Sequence, residues 1–238
     1  MSEFKNFHVI KTKLEIGAAL TWATTAVDIV NDTITINSHG LSTGQPCGLS
    51  TTGTVPSGLT ALTTPYYVIV INSNKIELAS SLANALAGTA IDLTTVGTGV
   101  CSLHPNGLGT IGLKQFVPAK CIVTRAWFDV VTTFTSPTGV DNGTIALQVN
   151  AANDLVSTLA ISDARNMWDA GIHSTLDGSP IVGSNASTLD AGTAIIMGAR
   201  QANAMIKTTA DRELTAVLAT DVVTAGKLNL YVEYLLSE

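Results

Sequence analysis

The chain has 238 residues, of which 13% are charged and 46% hydrophobic, and its net charge is −6. That length suffices for one large all-β domain or two smaller ones, while charge at about half the usual share leaves a surface of Thr, Ser, Asn and Gly, or one covered by other chains. The twelve Lys and Arg residues are spread too thinly to form a phosphate-binding patch, which excludes nucleic acid as a partner.

Residues 1–30 read as an N-terminal arm or strand carrying Phe4, Phe7, Val9, Leu14, Ile16 and Trp22. Phe4, Phe7 and Val9 form an apolar strip edged by Lys5, Lys11 and Lys13. Such a strip suits docking on a neighbouring subunit or addition to a sheet edge; equally, it suits a first strand buried in the protein's own C-terminal domain. Glu15 and Asp28 bracket the weakly apolar stretch between them, no small-residue cleavage site follows, and no run of about 18 apolar residues occurs. The expectation is a chain made in a cytoplasm, with no membrane partner.

Residues 31–104 read as a small β-module set into the rest. Asp32–Asn37 alternates with Ile34 and Ile36 inward, and Tyr66–Ile71 with Lys75–Ala79 forms a hairpin across Asn72, Ser73 and Asn74. Ser80 or Ser81 caps one or two helical turns, with Leu82 and Leu86 stacked four residues apart. Strands at Thr89–Thr94 and Val100–Leu103 complete a compact sheet or small barrel.

Residues 105–238 read as a jelly-roll-like domain or β-sandwich, so the fold class is all-β with an inserted module. In Cys121–Phe134 one face carries Ile122, Ala126, Phe128, Val130 and Phe134, and the other Val123, Arg125, Trp127 and Asp129. Ile145, Leu147 and Val149 alternate inward. Arg212–Ala219 and Lys227–Leu235 form a second hairpin, whose last strand puts Leu228, Leu230, Val232 and Tyr234 on one face. Asp163–Ser184 and Ser187–Ala202 read as long surface loops, with a short strand at Ala194–Met197.

Two motifs imitate enzymes. Gly40-Leu41-Ser42-Thr43-Gly44 matches the nucleophile elbow of serine hydrolases, but Gln45-Pro46-Cys47-Gly48 cannot start the helix the elbow requires. Gly107-Leu108-Gly109-Thr110-Ile111-Gly112 matches a dinucleotide fingerprint, yet a strand follows where the phosphate-binding helix belongs. Cys47, Cys101 and Cys121, and the scattered His8, His39, His104 and His173, lack metal-ligand spacing. No catalytic residue, metal or cofactor is expected.

The stretch Ser38–Thr94 resembles segments of structural proteins of tailed bacteriophages. The resemblance rests on the turn His39-Gly40-Leu41-Ser42-Thr43-Gly44, the strand Tyr66-Tyr67-Val68-Ile69-Val70 and the run Ala79–Leu86. Ile122–Ser136 and Gly226–Tyr234 look like parts of small Thr- and Ala-rich proteins of the same kind. The resemblance implies a non-enzymatic virion protein: a head decoration or cement protein, a head fibre or a tail component. The leading expectation is a homotrimer on the outside of the capsid, with the major capsid protein or other virion proteins as partners, assembled in the host cytoplasm. The alternative is a receptor- or glycan-binding module of a tail fibre, with aromatic platforms at Trp168 or at Tyr66 and Tyr67. Phe4, Phe7, Val9 and Trp168 are the expected interface residues.

Overall fold

The computed structural model describes residues 7–137, 141–152, 154–163, 166–174 and 206–237. Alternation sets up the first strand, β1 (His8–Glu15), with Ile10, Thr12 and Leu14 turned inward and Val9, Lys11 and Lys13 outward. After Gly17 the chain leaves this strand and builds a separate sheet before returning.

That sheet contains β2 (Leu20–Ala23), β3 (Val27–Asp28), β4 (Thr33–Thr35), β5 (Pro46–Thr51), β6 (Tyr66–Asn72), β7 (Lys75–Ala79) and β8 (Val100–Pro105), with helix α1 (Leu82–Ala87) between the last two. Its order is β2-β8-β5-β6-β7-β4-β3, and every pair is antiparallel. Trp22 from one end of the path and Val27 from the other join the same buried cluster as Ile34, Leu49, Val68 and Leu103, so the sheet curls around its core. Ser73 and Asn74 close the hairpin between the paired Asn72 and Lys75, and the Asn74 N–H donates to Asn72 Oδ1 at 2.8 Å. Ser81 caps α1 by accepting from the Asn84 N–H at 3.1 Å, worth about 1 kcal/mol, and Gly88 ends the helix in the left-handed region at φ 70°. Thr89–Thr94 is not a strand. Its backbone is irregular, held by Ile91 N–H to Leu78 O (2.8 Å) and Leu93 N–H to Asp32 Oδ1 (2.8 Å), which let Leu93 drop into the core.

The boundary expected at residue 31 is also displaced. Trp22 and Val27 belong to the module's core, and β2 lies against β8, so the module begins near residue 20 and closes at Pro105. The two crossing chains touch: Gly17 N–H donates to Pro105 O at 2.9 Å, and a β-carbon on Gly17 would lie 2.9 Å from the Pro105 ring. A side chain there would push the two connections apart.

The remaining strands are β9 (Gly109–Val117), β10 (Cys121–Thr135), β11 (Thr144–Gln148), β12 (Val156–Ala160), β13 (Gly171–Ser174), β14 (Ile206–Lys207), β15 (Arg212–Ala219) and β16 (Ala225–Leu236). One sheet runs β1-β16-β10-β13, with β14 also on β10, and the other runs β12-β11-β15-β9. The facing surfaces form a β-sandwich core in which Phe128, Phe134, Leu14 and Leu230 meet Ile145, Leu147, Leu214 and Leu218. Each such side chain contributes roughly 1.5–3 kcal/mol by leaving water. Because β1 supplies Leu14 to this core, the arm is an integral strand and the module is an insertion between β1 and β9.

Three expectations about the sandwich need correction. β15 and β16 do not form a hairpin: they lie in opposite sheets, and Asp221, Val222 and Val223 are buried in the link that crosses between them. Each strand has one apolar face, and these faces cover each other across the sandwich. In β10 the register shifts between Val123 and Arg125. This bulge at Thr124 changes the parity of the alternation, so Cys121 and Val123 point inward upstream of it and Ile122 does not. Within Asp163–Ser184, the described part holds the buried Met167 and Trp168 and strand β13, not an open loop. The Ala194–Met197 strand and the loop Ser187–Ala202 lie outside the described residues.

Candidate interaction surface

The bulge in β10 determines what the sandwich shows on the outside of its β1-β16-β10-β13 sheet, because beyond it Arg125, Trp127 and Asp129 point outward. Lys11, Tyr231 and Trp127 stand opposite one another on β1, β16 and β10. The Lys11 ammonium lies 5.3 Å from the Tyr231 ring centroid, and Tyr231 stacks on Trp127 at 5.3 Å with the planes 2° from parallel. The Arg125 guanidinium sits 4.7 Å from the Trp127 ring centroid. A cation over an exposed ring is worth about 0.5–1 kcal/mol, rising to about 2 when water is removed. The ladder thus gains strength when something covers it.

Charge pairs border the ladder on two sides. Arg125 meets Glu233 at 3.3 Å, and Thr124 Oγ1 donates to Glu233 Oε1 at 2.7 Å. Lys13 donates to Glu15 at 3.0 Å and Lys227 lies 3.6 Å from it; the Lys13 hydrogen bond, then both ammonium charges, holds the Glu15 carboxyl below its ordinary range. Apolar side chains extend the surface. Phe7 and Val9 are 58% and 53% exposed, and Ile172, paired with Asp129 across β13 and β10, is 76% exposed.

Of the expected interface residues, Phe7 and Val9 are therefore on the surface, and Phe4 lies outside the described residues. Trp168 is not on the surface. It is fully buried, stacked on Phe128 at 5.3 Å and edge-on to Phe134 at 6.0 Å, and its indole N–H donates to Leu159 O at 3.3 Å. Its Gly- and Asp-rich sequence context suggests a loop, but three bulky neighbours in space make it a core residue. Trp127 takes the surface role instead, and the alternation Arg125-x-Trp127-x-Asp129 was the signal for it. Neither tyrosine expected as a sugar platform is open: Tyr66 is buried with its hydroxyl accepting from the Thr60 N–H at 2.6 Å, and Tyr67 packs beside Ile69 and Ala85 near α1. Tyr231 itself stands between Lys11 and Trp127, leaving no free ring face.

The enzyme-like motifs lie elsewhere. Ser42 is in a turn closed by Gln45 N–H to Ser42 O (3.1 Å), and strand β5 follows it. Both nitrogens of the nearby His39 are engaged, Nδ1 accepting from the Leu41 N–H at 3.0 Å and Nε2 bonding Asn72 O at 2.8 Å. Gly107–Gly112 leads into β9. Among the described residues, a serine–histidine contact joins Ser50 Oγ and His104 Nε2 at 2.8 Å on β5 and β8, where the module meets the sandwich. His104 is buried, its Nδ1 has no protein partner, and burial lowers its pKa. Nothing therefore orients that ring as the third member of a triad does. Among the described residues no three His, Cys, Asp or Glu side chains gather as a metal site, and no helix is long and apolar enough to cross a membrane.

No family model matches the chain, and no curated protein and no solved structure is detectably similar to it.

Proposed function

We propose that this chain is a non-enzymatic structural subunit of a tailed-bacteriophage particle, a decoration or cement protein that binds the outside of the head as a homotrimer. Its partners are the major capsid protein or other virion proteins, and its place is the virion. The observation that carries the reading is the outer face of the β1-β16-β10-β13 sheet, where Trp127, Tyr231 and Arg125 stand beside exposed Phe7, Val9 and Ile172. Aromatic rings and arginine on a rigid sheet are the residues that dominate protein–protein contacts. The low share of charge and the resemblance of Ser38–Thr94 to phage structural proteins support the same role. Mechanically, the subunit bridges its neighbours through modest contacts, and repetition over a symmetric shell makes them strong.

Purified protein added to particles that lack it should occupy regular sites on the head. Trp127→Ala, or Phe7→Ser with Val9→Thr, which change exposed side chains and leave β1 in place, should lower that occupancy while the chain stays folded. Absence of wild-type occupancy on heads would overturn the reading.

A further inference from the structure

A second surface of the molecule answers the first in charge. The outer face of the β1-β16-β10-β13 sheet carries five cations, among them Lys11, Lys13 and Lys207, against the three carboxylates Glu15, Asp129 and Glu233. That is a net of +2 on a chain of net −6, which leaves −8 for everything else.

Part of that excess is concentrated at the far end of the module, where the sheet order ends β7-β4-β3. Asp28 lies on β3, Asp32 in the turn to β4 and Glu77 on β7, while Asp92 adjoins Leu93, whose N–H donates to Asp32 Oδ1 at 2.8 Å. Lys75 faces Asp28 and offsets one of the four charges. Burial, and then the charge of Asp32, push the Glu77 carboxyl upward. Between Asp28 and Asp32 the turn holds two apolar side chains to solvent, Ile29 at 44% and Val30 at 87% exposure. An acidic rim around two aliphatic tips matches a cationic rim around Trp127, Tyr231, Val9 and Ile172.

We infer that the outer face of the sandwich in one copy receives the acidic far edge of the module from a second copy, head to tail. This rests on the reading above that the face is a protein-contact surface, and it names the occupant. Two such faces pressed together would set net positive charge against net positive charge, which disfavours that pairing relative to the head-to-tail one. A head-to-tail contact joins two different patches, so repeating it builds a ring when the rotation closes.

The test is the mass in solution by light scattering. Wild-type protein should run as a multiple of 24.6 kDa and fall to a single chain at high salt. Lys11→Glu with Lys13→Glu should give single chains, as should Glu77→Lys with Asp92→Lys. The chain with all four substitutions restores opposite charge across the contact and should reassemble, which mere damage to the fold would not allow. If a reversal lowers the melting temperature, the neutral pairs Lys11→Gln/Lys13→Gln and Glu77→Gln/Asp92→Asn replace it and should weaken assembly. A wild-type monomer, an oligomer indifferent to these changes, or a folded four-fold variant that stays monomeric would overturn the inference. Occupancy of heads by a monomer would sink this contact and the homotrimer while leaving the head-binding role standing, whereas charge-swappable assembly without occupancy would uphold the contact and sink that role.

Discussion

Trp127 stacks on Tyr231 with ring centroids 5.3 Å apart, and one position along the strand Phe128 stacks on Trp168 at the same spacing in the core. The two stacks have similar geometry and different energetic weight. Trp127→Ala removes a surface pair worth about 0.5–1.5 kcal/mol, whereas Trp168→Ala empties a fully enclosed site at a cost of about 3–5 kcal/mol. Chemical denaturation should show a small shift of midpoint for the first and a large one for the second. Equal losses would mean that Trp127 belongs to the core.

Excising the module should leave a foldable sandwich, provided the cut follows the fold. Gly17 N–H bonds Pro105 O, so joining residue 17 to residue 106 through a short Gly/Ser linker bridges ends that already meet. Such a chain should melt cooperatively at a lower temperature, because Val222 packs against Gly48 and loses that cover. A cut at residue 30 should fail by aggregation, since it strands Trp22 and Val27 without the core they share. A molten product from the first chain would show that module and sandwich fold only together.

His104 gives stability a defined pH dependence. Burial lowers its pKa in the folded state, so the unfolded chain, with an ordinary value of about 6.5, binds the proton first. This contribution is fully present above about pH 6.5 and is lost as the pH falls from there towards the folded value, below which the loss is constant. Urea midpoints measured from about pH 7 to about pH 5 should therefore fall more in the wild type than in His104→Gln, which keeps a partner for Ser50 without titrating. Parallel curves would remove His104 from the account.

All three cysteines are buried and unpaired. Burial raises the thiol pKa of Cys47, and burial together with the charge of Asp211 raises that of Cys121, so neither forms the reactive thiolate readily. A thiol-specific disulfide reagent should leave the native chain unmodified and label all three sites after denaturation. Rapid labelling of the native protein would reveal an open site at one of these strands.

The sequence made the strands legible where alternation is uninterrupted. Ile34 with Ile36, the Tyr66–Ala79 hairpin and the Leu228–Val232 face all follow from period two, and Ser81 follows from capping chemistry. It hid the features that depend on distant partners. The Thr124 bulge costs one residue and leaves no mark in composition, yet it reverses the faces of Ile122 and Val123. Arg212–Ala219 and Lys227–Leu235 have the spacing of a hairpin, and only the buried Val222 and Val223 of their link reveal a crossing between sheets. For the surface, the Arg125–Trp127 alternation was readable, while the stack with Tyr231 requires the pairing of β10 with β16, about a hundred residues apart in the chain.

The position of β16 imposes an order on biosynthesis. It lies between β1 and β10, so the sheet that bears the outer face cannot zip up until residues 225–236 have been made. Every strand of the module lies within residues 20–105 and needs nothing later to pair. As the polypeptide emerges, the module can therefore settle while β1 waits unmatched, and the slow, long-range step of sandwich closure comes last. During that interval the apolar side of β1, including Leu14, stays open to the wrong neighbour, which makes the release of nascent chains the stage most exposed to misassembly.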